Sequence, residues 1–193
     1  ITEGVPVQDM LKAVAFVQER GAKLIGPNSP GIVSVGIGKL GIIPGSILSL
    51  GPVGVVSRSG TLTYEIIDGL TRAGIGQSSC VGIGGDPILG LRFSDILPLF
   101  EDDPQTSLVV IVGEIGGSDE EEAAKFIATM TKPVVGFISG KCAPAEKRMG
   151  HAGAIISGNC GTVESKEKAL KASGVILADK TKEITGLLQG LLR

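Results

Sequence analysis

Five short apolar segments, each followed by a segment with helical spacing, constrain the fold of this chain most strongly. The predicted strands lie at 53–57, 78–83, 108–113, 133–138 and 175–178, and the predicted helices at 60–73, 93–101, 119–130, 163–173 and 181–192. Strands that are apolar throughout are typical of a parallel sheet with helices on both faces. The pattern predicts an α/β fold with a flavodoxin-like, five-stranded, parallel, doubly wound sheet, whose ligand site lies at the carboxyl ends of the strands.

The first 50 residues follow a different pattern. Apolar residues at helical spacing behind Pro6 predict a helix over 6–20, and residues 23–25 predict a short strand. These elements look like the end of an α/β unit, and the chain begins without an initiator Met, so we expect it to be part of a longer protein. Residues 32–51 are rich in Gly and Ile and predict a connector with one or two short strands. We therefore divide the chain into units at 1–50 and 51–193.

Composition excludes several classes of function. The net charge is −2, aromatic residues make up 3% of the chain and Trp is absent, so the sequence has neither a basic stripe nor a stacking platform for nucleic acid. The longest apolar stretches, such as 108–112, are far below the ~20 residues of a membrane span. Cys80, Cys142 and Cys160 lack CxxC spacing, and their odd number is typical of reduced thiols in cytoplasm or mitochondrial matrix.

The chain contains one histidine, His151, in the loop sequence GHAGA. An imidazole titrates near neutrality and can act as a base, a metal ligand or a nucleophile. The sequence offers no His/Cys cluster of the kind that zinc sites use, which argues against a metal site. An isolated histidine is often an incidental surface residue, but the position of His151 after the fourth predicted strand places it near the other strand ends. We therefore take it as the first candidate for chemistry.

Hydroxyl residues and a glycine follow the first predicted strand of the second unit. Ser59, Gly60 and Thr61 open the helix that begins there. A helix N-terminus binds anions through its free N–H groups and its dipole, and Ser59 and Thr61 add hydroxyl donors. The alternative is an ordinary serine N-cap, which is among the commonest uses of Ser at this position. The absence of a Cβ at Gly60 favours the phosphate interpretation.

Glu114 directly follows the strand predicted at 108–113 and lies among glycines. A carboxylate there can accept a hydrogen bond from Nδ1 of an imidazole and make Nε2 more basic. The acidic residues that follow have a simpler explanation. Ser118 and Glu121 match a capping box, and Asp119 to Glu122 complement the helix dipole, so these residues require no further function.

Two other segments carry weaker signals. The glycine-rich turn at 81–87 (VGIGGDP) also follows a strand, but a GxGG string alone is compatible with a purely structural loop. Lys141, Lys147 and Arg148 precede the histidine, and either attract phosphate or only solvate the loop.

Four motifs, SRSGTLTYE, VGIGGDP, GEIGGSDEEEA and GHAGAI, occur in an order and spacing that resemble the α subunits of succinyl-CoA synthetases. The resemblance covers essentially the whole chain. It implies that His151 is phosphorylated during turnover and that Glu114 associates with it. It also implies that Ser59, Gly60 and Thr61 form one helix N-terminus that binds the phosphate, and that Tyr64 contributes to a substrate site shared with a β subunit.

The same resemblance implies a reaction in which succinate, CoA and ATP or GTP give succinyl-CoA, a nucleoside diphosphate and phosphate. The reaction passes through an acyl phosphate and the phosphohistidine. The nucleotide and Mg²⁺ then belong to a β partner with an ATP-grasp fold, in an αβ or (αβ)₂ assembly, and this chain itself has no metal site. Residues 1–50 correspond to the end of a Rossmann-like CoA-binding domain. The expected CoA contacts are Ile1, Thr2, Glu3, Asn28 and Ser29, where Ser29 stands in a GPNSPG loop that usually reads GPNCPG.

Two alternatives remain open from the sequence. An ADP-forming acetate- or malate-type CoA ligase shares the phosphohistidine chemistry. A non-catalytic, flavodoxin-like module that binds an anion explains the glycine-rich loops, but it leaves the pairing of Glu114 with His151 unexplained.

Overall fold

The computed structural model describes residues 1–141, 150–155 and 161–192. The strands are β1 (Gly31–Ser34), β2 (Gly38–Gly41), β3 (Leu50–Ser57), β4 (Gln77–Gly82), β5 (Leu108–Glu114), β6 (Val134–Ser139) and β7 (Ile176–Leu177). The helices are α1 (Val7–Glu19), α2 (Gly60–Arg72), α3 (Phe93–Asp102), α4 (Asp119–Ile127), α5 (Val163–Ala172) and α6 (Glu183–Leu191), with a 3₁₀ turn at Gly45–Ile47.

The predicted parallel sheet is confirmed. The order of the whole sheet is β2-β1-β4-β3-β5-β6-β7, and its five strands from β4 to β7 pair in parallel. Numbered from β3 along the chain, these strands have the order 2-1-3-4-5 of flavodoxin-like folds. This order brings the carboxyl ends of β3, β4 and β5 side by side at one edge of the sheet.

The predicted number of five strands was too small, because the connector contributes β1 and β2 to the same sheet. β1 pairs antiparallel with both β2 and β4. Without β1, the buried strand β4 would have an open edge, and unpaired edge N–H and C=O groups need partners. The division of the chain at residue 50 stays a prediction, although these two connector strands hydrogen-bond into the sheet of the second unit.

The predicted strand at 23–25 was wrong. This extended segment makes only isolated backbone bonds: the carbonyls of Leu24 and Gly26 accept hydrogen bonds from the N–H groups of Leu91 and Gly90 at 2.7 and 2.9 Å. Those partners lie in the loop before α3, and an extended segment becomes a strand only through a ladder of such bonds with a neighbouring strand.

The helices confirm the predicted periodicity, with ends that differ by up to three residues. The capping box predicted at the start of α4 was wrong, since the Ser118 side chain makes no capping bond. The Glu121 carboxylate instead lies 3.2 Å from Nζ of Lys166 and accepts a hydrogen bond from Oγ of Ser165 at 3.0 Å. A charged amine is a stronger partner for a carboxylate than a backbone N–H group.

The core consists of one apolar layer on each face of the sheet. One layer joins Val109 and Ile111 of β5 to α3, α4 and α5, and the other joins Val110 and Val112 to α2 and α6. All seven residues of β5 are buried, so the end of this strand, Glu114, is held on a rigid support. None of the helices in the described ranges has the length and apolar character needed to cross a membrane.

Candidate active site

His151 and Glu114 form the centre of the candidate site. Nδ1 of His151 lies 2.7 Å from Oε2 of Glu114, at the end of β5. The Glu114 side chain is buried, whereas that of His151 keeps 24% of its surface exposed. Because an ionised carboxylate only accepts hydrogen bonds, this contact places the proton on Nδ1. Nε2 of the neutral imidazole then carries the lone pair and can act as a nucleophile.

The imidazole of His151 packs closely against a glycine, Gly85, that the sequence did not single out. A Cβ atom at Gly85 would lie 2.2 Å from both Cγ and Nδ1 of His151. The carbonyl of Gly85 also accepts a hydrogen bond from the N–H of Gly153 at 3.0 Å, which ties the GHAGA segment to this loop. The loop at 81–87 therefore places the imidazole and excludes any side chain at position 85. The GG pair of the motif was the only sequence signal for this role.

The surroundings of His151 raise its pKa above the ordinary value. The hydrogen bond to Glu114 is the largest cause, and the negative charges of Glu114 and Asp86 add to it. Partial burial and the positive charge of Arg58 oppose this increase. The protonated imidazole is therefore stabilised in the folded protein, and the nucleophilic neutral form is favoured only at higher pH.

Three buried charged residues that the sequence analysis did not assign to the site lie behind Glu114. Nε of Arg58 is 3.3 Å from Oε1 of Glu114, and Nη1 of Arg58 is 3.7 Å from Oε1 of Glu120. Oε1 of Glu120 also accepts a hydrogen bond from the Glu114 N–H at 3.0 Å, and Oε2 contacts Nζ of Lys166. Burial raises the pKa of Glu120, while Lys166 and Arg58 oppose that increase. The expectation that Glu120 serves only the helix dipole was therefore incomplete.

The N-terminus of α2 faces the same space as His151. Gly60, Thr61, Tyr64 and His151 line one open cleft of about 210 Å³. Ser59 is the N-cap residue of α2, and its Oγ accepts a hydrogen bond from the N–H of Leu62 at 3.3 Å. The N-cap role is thus observed, and phosphate binding by Ser59, Gly60 and Thr61 stays a prediction.

Three of the predicted CoA-binding residues, Ile1, Asn28 and Ser29, also line this cleft. The carbonyl of Thr2 accepts a hydrogen bond from the Asn28 N–H at 2.8 Å, and the Asn28 side chain donates to Asp86 at 3.1 Å. Thr2 and Glu3 are exposed.

The hydroxyl of Ser29 makes hydrogen bonds to the backbone of the protein. Ser29 is buried, and its hydroxyl donates to the carbonyl of Gly82 and accepts from the Gly31 N–H. It therefore fixes the loop against the end of β4.

Several residues named from the sequence lie away from the cleft or outside the described residues. Lys141 pairs with Glu167 at 2.9 Å and Asp179 at 2.7 Å, which satisfies its charge on the surface. Burial raises the pKa of the Cys80 thiol, so this cysteine is a poor nucleophile. Within the described ranges, no group of three His, Cys, Asp or Glu side chains could hold a metal ion. Four of the residues named from the sequence lie outside the described ranges: Cys142, Lys147, Arg148 and Cys160.

Fold and site define an α/β protein with a histidine-centred cleft at the carboxyl ends of a parallel sheet. The sequence matches the profile of the CoA-ligase family over residues 56–176. It is 58% identical to "Succinate--CoA ligase [ADP-forming] subunit alpha 2" of Archaeoglobus fulgidus and 55% identical to the corresponding alpha subunit of Methanothermobacter thermautotrophicus, each over 192 residues. These alignments cover 100% of this chain and 67% and 66% of the two relatives. The chain belongs to the CoA-ligase family, and it spans about two thirds of the length of these relatives.

Solved structures agree with this assignment. ATP citrate lyase from Methanothrix soehngenii, in complex with citrate and coenzyme A, superposes with a TM-score of 0.87 at 26% identity, over 98% of this chain and 34% of that chain. An acetyl-coenzyme A synthetase of Ca. Korarchaeum cryptofilum, in complex with phosphate and ADP, gives a TM-score of 0.75 at 25% identity, over 95% of this chain and 40% of that chain.

Proposed function

We propose that this chain is the phosphoryl-carrying part of a succinate–CoA ligase α subunit, and that His151 is the carrier. One observation carries the proposal: Glu114 holds Nδ1 of His151, while the imidazole lines the same cleft as the N-terminus of α2. Such an arrangement suits a phosphoryl carrier, because an imidazole and a helix N-terminus share one cavity. The names of relatives with 55% and 58% identity support succinate as the acid and ADP formation as the nucleotide half of the reaction.

The proposed chemistry moves one phosphoryl group through three steps. In the first, Nε2 of His151 attacks the terminal phosphorus of ATP or GTP, and the P–O bond to the departing nucleoside diphosphate breaks. In the second, a carboxylate oxygen of succinate attacks the same phosphorus, the N–P bond breaks and an acyl phosphate forms. In the third, the thiolate of CoA attacks the acyl carbon and inorganic phosphate leaves. A covalent intermediate divides one difficult transfer into easier ones.

Each residue at the site has a distinct part in this scheme. The Glu114 carboxylate stabilises the positive charge that develops on the imidazole when Nε2 forms its bond to phosphorus. The N–H groups at the start of α2, with the hydroxyls of Ser59 and Thr61, bind the oxygens of the phosphoryl group. Gly60 allows those oxygens to approach the backbone, and Tyr64 contacts the substrate at the rim of the cleft.

The proposal assigns the remaining groups to other parts of the assembly. A β partner with an ATP-grasp fold, in an αβ or (αβ)₂ complex, holds the nucleotide and the Mg²⁺ that neutralises its charge. The "subunit alpha" in the relatives' names supports the existence of a partner. CoA binds at the end of a Rossmann-like domain, with its thiol directed to the side of the cleft formed by Ile1, Asn28 and Ser29. We place this complex in the cytoplasm or the mitochondrial matrix.

Phosphoryl labelling of the intact protein with its partner tests the proposal. Incubation with γ-³²P-labelled ATP or GTP and Mg²⁺ should give an acid-labile label on this chain, and the His151→Asn variant should lose it. The Arg72→Gln variant is a matched surface control and should keep it, because the Arg72 side chain is exposed and its ion-pair partner, Asp68, lies on the same helix. A label that survives in His151→Asn refutes the assignment.

Addition of an acid and CoA to the labelled complex tests the substrate. Succinate should discharge the label, with succinyl-CoA as the product. Faster discharge by acetate or malate would instead indicate an acetate- or malate-type CoA ligase. Binding of inorganic phosphate without any covalent label would favour the non-catalytic module.

A further inference from the structure

Arg58 is a buried arginine that the proposed chemistry has not used. It directly follows β3, its N–H donates to the carbonyl of Val112 at 3.0 Å, and only 3% of its surface is exposed. A guanidinium keeps its charge in proteins, and a buried charge requires partners of opposite sign. Arg58 has two such partners, Glu114 and Glu120. One of these two carboxylates, Glu114, also holds His151.

The Glu114 carboxylate is shared between two groups. Oε1 faces Nε of Arg58 at 3.3 Å, and Oε2 faces Nδ1 of His151 at 2.7 Å. Among the described residues, the buried Arg58 Nε and Glu114 Oε1 have no well-aligned hydrogen-bond partner, so their attraction to each other is mainly ionic. Because a carboxylate is planar, a constraint on one oxygen also sets the direction of the other.

The Arg58 side chain is itself held in place from its far side. Nη1 donates to the carbonyl of Gly116 at 3.3 Å and lies 3.7 Å from Glu120, which contacts Lys166. Positive and negative charges thus alternate from Lys166 through Glu120 and Arg58 to Glu114. Each charge in this buried series is attracted to its neighbours, so the Arg58 side chain has little freedom to move.

We propose that Arg58 is a positioning residue for the phosphoryl carrier: it fixes Glu114 so that the carboxylate keeps the proton of His151 on Nδ1, and its positive charge opposes protonation of Nε2 before phosphorylation. This inference rests on the proposed function of His151. It goes beyond that function, since it assigns control of the nucleophile to a residue without contact to substrate.

The charges that face His151 show why the positive charge matters. Among the described residues they come from three parts of the chain: Glu114 at the end of β5, Asp86 in the loop after β4 and Arg58 after β3. Without Arg58, the effect of Glu114 and Asp86 on the imidazole would lose this opposing charge, and protonated His151 would be stabilised further. A smaller fraction would then be neutral at a given pH. Arg58→Lys keeps the charge but loses the planar guanidinium, so it separates the charge effect from the geometric effect.

Two variants of Arg58 and one surface control test the inference in the full chain. Arg58→Met removes the charge with little loss of volume, Arg58→Lys retains it, and Arg72→Met is the control. The tautomer and titration of His151 can be followed by ¹⁵N NMR of histidine-labelled protein, and a spectrum of His151→Asn assigns the signal. The pH profile of phosphohistidine formation in the complex with the partner subunit is the second readout. Circular dichroism and thermal unfolding establish that each variant is folded.

Arg58→Met should move the titration midpoint of His151 and the acidic limb of the phosphorylation profile to higher pH by about one unit, a tenfold change in the protonation ratio. Arg58→Lys should leave the midpoint near that of the wild type but slow labelling on the order of tenfold, because Glu114 is held less firmly. The surface control should change neither readout. A purely structural role would lower stability without a change in the midpoint or the tautomer.

Two results would overturn the role of Arg58. One is a folded Arg58→Met variant with an unchanged His151 midpoint and an unchanged Nδ1–H tautomer. The other, which also applies if Arg58→Met does not fold, is an Arg58→Lys variant that is labelled at the wild-type rate. Since the NMR readout needs no phosphorylation, failure of this inference can be distinguished from failure of the proposed function, which would appear as an unlabelled wild type.

Discussion

The region around His151 and the N-terminal region of the chain use their side chains in opposite ways. Around His151, charged side chains are buried: Arg58, Glu114, Glu120 and Lys166 are at most 5% exposed. In α1 and the β1–β2 hairpin, large apolar side chains are exposed, with Phe16 at 56% and Ile37 at 76%. Met10 is the only residue of α1 that is buried. The core of the sheet therefore supports the site, whereas much of the N-terminal surface contributes little to that core.

The largest effect on stability is expected where a buried ion pair is broken. Lys166→Met should lower the free energy of unfolding by about 3–5 kcal/mol, because it leaves Glu120 buried without its closest cation. Urea unfolding of the variant and the wild type measures this change. Lys12→Met, which removes an exposed lysine in α1 that pairs with Asp9, is the control and should change stability by less than about 0.5 kcal/mol. Equal effects of the two variants would contradict the contrast between the regions.

Two glycine substitutions, one in each region, should differ in their effect on activity. Gly85→Ala places a methyl group against the imidazole, so we expect phosphohistidine formation to fall on the order of 100-fold. Gly38→Ala in the N-terminal hairpin adds a methyl group with nothing within 4 Å and should leave labelling unchanged. Rates of label incorporation measure both effects. Wild-type labelling in Gly85→Ala would show that the loop does not place the imidazole.

A smaller effect is expected from the change with pH in the contribution of His151 to stability. The pKa of His151 is raised in the folded protein, so its contribution to stability is fully present below the unfolded pKa of about 6.5. That contribution is lost as the pH rises through the folded pKa. The stability difference between the wild type and His151→Gln should therefore decline from pH 6 towards alkaline pH, as measured by urea unfolding at several pH values. A difference that grows with pH would contradict the raised pKa.

The smallest effect is expected on the exposed face of α1. Leu11→Gln should change the free energy of unfolding by less than about 0.5 kcal/mol, because Leu11 is exposed. Val110→Ala in β5 removes fully buried methyl groups and should cost on the order of 2 kcal/mol. Thermal or urea unfolding compares the two. A large loss for Leu11→Gln would mean that α1 is part of the cooperative core.

The sheet could be predicted because its strands are continuous apolar runs separated by periodic helices. This pattern placed the five parallel strands and their helices, and the flavodoxin-like order followed from it. β1 and β2 were only suggested as connector strands, since four-residue segments rich in glycine carry little periodicity. The segment at 23–25 has strand composition but no neighbouring strand, and a sequence does not show whether a partner exists.

The site could be predicted only in part, for a similar reason. Glu114 ends β5 and His151 follows β6, and the carboxyl ends of these parallel strands lie at the same edge of the sheet, so their approach could be anticipated. The contact between Lys166 and Glu120 joins residues 46 positions apart, and no periodicity in the sequence marks such a pair. The role of Gly85 depends on what lies above its backbone, which only the folded structure reveals.

³¹P NMR of the phosphorylated protein is the most direct measurement of the central claim. The intact complex is incubated with ATP or GTP and Mg²⁺ and denatured at alkaline pH, where phosphohistidine persists. The chemical shift then distinguishes phosphate on Nε2 from phosphate on Nδ1. Because Glu114 occupies Nδ1, we expect a single phosphoryl group on Nε2 of His151. A phosphoryl group on Nδ1, on another residue, or on none in a complex that still turns over would contradict it.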